Sequence, residues 1–143
     1  VGTALMDDRI KGLLDLWNAK RAARALPARA DFAMGDLMPW LGHLMVLDVL
    51  EGGSDFRFVV YGTALVEIFG FDLTGRRVSE SIPQIGPDPL DEYRRVFATG
   101  QPDYVARRSP ADREYVSITK IALPLSSDGR AIDKILGAIY QID

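Results

Sequence analysis

Cysteine is absent from the 143 residues, and histidine occurs once, as His43. Without thiols there is no cysteine nucleophile, zinc ribbon, iron–sulfur ligation or flavin–cysteine photochemistry. A lone histidine leaves little material for transition-metal or Ser–His chemistry. No basic excess exists either. The 17 Lys+Arg face 20 Asp+Glu, a net charge of −3, which argues against a general nucleic-acid partner. No apolar run approaches the roughly 20 residues of a membrane-spanning helix, so no membrane partner is expected. Val1–Asp8 shows no basic stretch leading into an apolar one, so no signal peptide is read there and a cytoplasmic protein is expected. Gly-x-Ser-x-Gly, His-Glu-x-x-His and EF-hand patterns are missing. Gly70-x-x-x-x-Gly75-Arg76 lacks the Lys-Ser/Thr of a phosphate loop. No metal site is expected.

What is present is material for one core. Hydrophobic residues make up 48% and charged residues 26%, an ordinary globular balance that needs no disulfide staples. One domain is expected over residues 1–143, with a flanking helix in 1–27 and a core in 28–143. Ile10, Leu13, Leu14 and Trp17 recur at helical spacing, Asp7 and Asp8 sit at the start, and Pro27 closes the segment, predicting a helix over 8–26. His43–Leu50 and Phe56–Tyr61 read as strands joined by a Gly-containing turn. In the second, Phe56, Phe58 and Val60 share a face. Thr63 to Gly70 reads as a short helix with a C-cap glycine, and Asp88-Pro89 opens a helix through about Ala98. Strands follow at 103–109, 113–125 and 132–142. This order predicts an α+β fold: a five-stranded antiparallel sheet with helices on one face and an N-terminal flanking helix. A cavity between sheet and helices is the natural ligand site.

Several segments carry a family resemblance. They are Trp17 in the first helix, Leu26-Pro-Ala-Arg-Ala-Asp31, Leu37-Met-Pro-Trp-Leu-Gly-His-Leu44 and Phe58-x-x-Tyr-Gly-Thr-Ala-Leu65. Phe69-Gly-Phe-Asp-Leu-Thr-Gly-Arg76, Leu123-Pro-Leu125 and Leu136-Gly137 complete the set. With this element order the chain resembles the PAS fold, and more narrowly the bacterial family of stand-alone PAS-like proteins that begin with a Trp-bearing helix. The resemblance runs from about Leu13 to Tyr140. It implies a role in sensing or signal transduction, with output through a protein partner, since no kinase or cyclase module is present. It leaves the cofactor unknown, because PAS domains bind haem, flavins, organic acids or nothing. Haem ligands in PAS relatives usually come from the helix matching residues 89–98, which offers Tyr93 and no histidine.

The expected cavity residues are Phe58, Val60, Phe69, Phe71, Ile82, Tyr93, Phe97, Tyr115 and Ser117. Of these, Tyr93, Tyr115 and Ser117 carry hydroxyls that want partners when buried. Asp88, Asp91 and Glu92, like Asp112 and Glu114, sit at helix starts or turns, where capping or solvation accounts for them. Arg107 and Arg108 alternate on one strand, so at most one of them faces a pocket. Ile10, Leu13, Leu14 and Trp17 are the candidate interface, and a homodimer is expected. The leading expectation is a non-catalytic sensory module that binds a small molecule and signals through a protein partner. The alternatives are a ligandless interaction or localisation adaptor acting as a dimer, and a small isomerase-like α+β enzyme.

Overall fold

The structure, a computed structural model, describes residues 6–142. Residues 1–5 and 143, the former part of the expected flanking segment, lie outside the described residues. Helix α1 (Asp8–Arg21) starts where Asp7 accepts the Arg9 N–H at 2.8 Å, the usual N-cap arrangement. It stops at Arg21, short of the predicted residue 26, although Ala22–Ala25 are good helix formers. Leu26 is buried against the sheet, and the Pro27 carbonyl accepts the Ser126 N–H at 2.9 Å. Reaching that contact turns the chain out of the helix at Ala22, with φ of 53°. Tertiary packing overrides propensity here.

After a short α2 (Met34–Leu37) come strands β1 (Leu44–Leu50) and β2 (Asp55–Tyr61), then α3 (Thr63–Phe69), α4 (Ile82–Ile85) and α5 (Asp88–Thr99). Strands β3 (Asp103–Ala111), β4 (Glu114–Leu125) and β5 (Lys134–Gln141) complete the chain. The strands form one five-stranded sheet in the order β2-β1-β5-β4-β3. Every neighbouring pair is antiparallel. This is the α+β fold that the sequence implies.

Both faces of the sheet are covered. On the inner face Met45, Leu47, Phe56, Phe58, Ile118, Ile135 and Ile139 pack beneath Leu65, Phe69, Leu90, Tyr93 and Val96 of α3 and α5. On the outer face Leu44, Val46, Ile121, Leu123, Leu136 and Ala138 pack against Ile10, Leu13 and Trp17 of α1. Each such aliphatic or aromatic side chain contributes about 1.5–3 kcal/mol of burial. Gly137 of β5 is tightly enclosed. A Cβ there would sit 2.5 Å from Met45 Cε and 2.8 Å from the Ile121 carbonyl oxygen, so the central strand admits no side chain at that point.

Candidate functional site

A β-bulge decides which side chains of β2 reach the interior. Val46 pairs with Val60 and Leu47 with Phe58, leaving Val59 as the extra residue that reverses the alternation. Phe56, Phe58 and Tyr61 therefore point inward, whereas Val60 is 45% exposed. On β4 the inward residues are Val116, Ile118, Lys120 and Ala122. Helix α5 lays Leu90, Tyr93 and Val96 over them, together with Glu92.

Glu92 is the centre of a buried ionic triad. Its Oε2 accepts from Arg107 Nε at 2.6 Å, and its Oε1 accepts from Arg107 Nη2 at 2.9 Å and from Lys120 Nζ at 2.7 Å. Arg107 lies opposite Ile118 in the β3–β4 ladder, and Lys120 is one inward position farther along β4. The two cations thus sit as diagonal neighbours on one face. Side-chain exposures of 17% for Arg107, 6% for Glu92 and 2% for Lys120 remove the triad from solvent. Burial opposes the charge of Glu92, yet Lys120 and Arg107 override it and push the carboxyl down to about 2. For Lys120 burial wins instead, lowering its affinity for the proton despite Glu92. One carboxylate shared between two cations leaves the ammonium undercompensated.

Beside the triad lies an inner cavity of about 20 Å³, room for about one water molecule. Arg107, Ser109 and Lys120 line it with Tyr61 and Tyr93. The remaining wall is apolar and includes Met45, Phe58, Phe69 and Ile118. Lys120 Nζ stands 4.2 Å from the centroid of the Tyr93 ring, a cation–π contact. The Tyr93 hydroxyl donates to Met45 Sδ at 3.2 Å, a weak acceptor. Burial raises the Tyr93 phenol far above its usual range, and Glu92 adds to the effect.

Of the expected cavity residues, Phe58, Phe69 and Tyr93 line this space. Phe71 and Phe97 are half-buried at the rim of the inner core, and Phe97 closes over Gly53. Three others are corrected outward. Val60 is displaced by the bulge, Ile82 is 38% exposed because α4 turns Ile85 inward, and Tyr115 is 61% exposed. Ser117 is on the opposite parity of β4 from Ile118 and Lys120, so it faces away from the cavity. Glu92 is also corrected, from a solvated helix-start residue to a buried ion. Arg107 turns inward and Arg108 outward, the division that strand alternation requires.

The interface candidates Ile10, Leu13 and Trp17 are buried within their own domain, and Leu14 is half-buried beside them. Trp17 Nε1 donates to the Pro124 carbonyl at 2.9 Å, tying α1 to the sheet. These side chains are therefore not a free surface. His43 is on the outer side, stacked on Tyr140 at 4.0 Å, with Nδ1 3.0 Å from the Ile139 carbonyl oxygen. Among the described residues no group of three metal-ligating side chains converges, and no helix is long and apolar enough to cross a membrane.

A family model described as PAS domain matches residues 8–140. No curated protein sequence matches. Among solved structures, a fungal light-oxygen-voltage domain photoreceptor superposes with a TM-score of 0.58 at 19% identity, covering 93% of this chain and 91% of that one. A light-oxygen-voltage domain studied with a flavin analogue gives 0.58 at 14% identity, over 76% and 83% of the two chains. The light-oxygen-voltage protein of Rhodobacter sphaeroides gives 0.54 at 18% identity, over 69% and 58%.

Proposed function

The chain belongs to the PAS domain family, and on that premise we propose that it is a non-catalytic sensory module of cytoplasmic signal transduction. It takes a small ligand into the cavity between sheet and helices and reports the occupied state to a protein partner. The observation that carries this reading is that Arg107 and Lys120, both held by the buried Glu92, line a cavity in a mostly apolar core. A buried charge cluster of this kind is weak as a stabilising device and better suited to recognising a polar ligand. It also spans α5, β3 and β4, so a ligand that disturbs it shifts a helix against the sheet.

The residues do not fit a flavin. The cavity of about 20 Å³ falls far below the roughly 300–1,000 Å³ of ordinary small-molecule pockets. Phe58, Tyr61, Phe69 and Tyr93 fill the space a ring system would need. The absence of cysteine removes the thiol for an adduct as well.

Thermal unfolding of the purified chain against a small-molecule set, coupled to hydrogen exchange, tests the reading. A true ligand raises the midpoint and slows exchange in α5. If nothing stabilises the protein and α5 exchange never changes, the ligandless adaptor replaces it. One observation favours that second reading: Met34, Leu41 and Val60 are exposed around an apolar groove of about 360 Å³ beside β2. A homodimer on this groove would be weakened by Leu41→Glu in sedimentation velocity.

A further inference from the structure

The polar groups around the inner cavity are unbalanced in charge and in hydrogen bonding. Both oxygens of Glu92 are already occupied by Arg107 and Lys120. Lys120 carries three N–H donors, and one of them goes to a Glu92 oxygen. The Tyr93 hydroxyl spends its proton on a thioether. Ser109 and Tyr61 add hydroxyls to the lining, that of Ser109 already donating to the Pro110 carbonyl. The rest is apolar, and the triad leaves a formal excess of one positive charge beside the cavity.

We propose that this cavity is a binding site for a compact monovalent anion of halide size, held by Lys120 and Arg107 with the Tyr93 hydroxyl turning to donate. The inference deepens the sensory reading by naming the class of its ligand. Size and charge select together. A space of about 20 Å³ holds one monatomic ion or one water, while sulfate, phosphate and larger carboxylates exceed it. Water satisfies donors but leaves the excess charge in a medium of low dielectric constant; an anion offsets it. Burial that loosens the Lys120 proton is relieved when an anion sits beside it, so the ion also secures the charged form of Lys120. Departure or replacement of the ion would alter the force holding α5 to β3 and β4.

Two measurements on the whole chain test this. In crystals grown in sodium bromide, data at the bromine edge should show an anomalous peak inside the cavity next to Lys120 Nζ. In solution, the unfolding midpoint should rise with the logarithm of bromide or chloride concentration above the dissociation constant, and not with sulfate at equal ionic strength. Lys120→Met removes the excess charge, leaves Glu92 paired with Arg107, and should abolish both signals. Tyr93→Phe, a milder change, should weaken the halide response several-fold while the protein stays folded. Bromide peaks confined to the surface would overturn the proposal. So would a midpoint that tracks ionic strength regardless of the anion, or a full response in Lys120→Met. If halides fail while a larger ligand, one that must widen the cavity by moving α5, stabilises the chain and slows α5 exchange, the sensory reading stands without the anion. A halide response with α5 exchange unchanged keeps the site and sinks its sensory role.

Discussion

At the scale of the residue, Glu92 is where charge, burial and function meet. It neutralises only one of the two cations it touches, so removing its charge leaves Arg107 and Lys120 both buried and unpaired. Glu92→Gln should therefore cost about 3–5 kcal/mol in urea unfolding. Replacing the whole triad, as Glu92→Leu with Arg107→Met and Lys120→Met, should cost far less or even stabilise, because no uncompensated charge remains. That contrast separates a triad kept for recognition from one kept for stability. The carboxyl also sets an acid limit. Its folded pKa of about 2 lies below the free value of 4.5, so its contribution is complete above pH 4.5 and is lost as the pH falls towards 2. The loss is on the order of 3 kcal/mol, and a pH series of urea midpoints should show it in the native chain and not in Glu92→Gln. Little of this was legible beforehand. Glu92 stands in an Asp-rich helix start that looks solvated, and Lys120 stands in an apolar strand where a lysine invites an outward placement. Only the alternation of Arg107 and Arg108 carried usable information, and it could not say which of them turned inward.

At the scale of the element, the strands were readable and their faces were not. Runs rich in β-branched and aromatic residues identified all five strands, with ends within about two residues of those observed. The facing failed for two physical reasons. In β2 the extra residue Val59 reverses the parity between Phe58 and Tyr61, and no single residue type announces a bulge. In β4 both faces are buried, by α5 on one side and α1 on the other, so apolar residues occur at both parities and periodicity cannot choose. Gly137 shows how tightly the central strand is specified. Gly137→Ala places a methyl against the Ile121 carbonyl at 2.8 Å, and a backbone atom cannot step aside as the end of Met45 can. A loss of about 1–3 kcal/mol is expected, and Met45→Ala in the same chain should recover only part of it. Urea unfolding of the single and double variants measures both. Full recovery would mean that Met45 alone causes the strain.

At the scale of the whole molecule, the sheet is a shared wall between two cores. The inner core holds the cavity and the triad, and the outer core is closed by α1. Strand β4 contributes Ile118 and Lys120 to one side and Ile121 and Leu123 to the other, so a change in the inner site has a direct mechanical path to the seat of α1. The expected interface stripe Ile10, Leu13 and Trp17 is spent on covering that wall, which is why an apolar helix face in the sequence did not mean a free docking surface. Its removal should then create one. A chain lacking residues 1–25 exposes Leu44, Val46, Ile121, Leu123, Leu136 and Ala138 together, a contiguous apolar face that soluble monomers rarely tolerate. Sedimentation velocity should find it self-associating, while the intact chain keeps that face covered. Trp17→Ala, which opens only part of the face and frees the Pro124 carbonyl, should cost about 3–5 kcal/mol. If the shortened chain is monomeric and as soluble as the intact one, α1 is an ornament on the sheet rather than its lid. The proposed signalling route from the triad would then run through α5 and the inner helices instead.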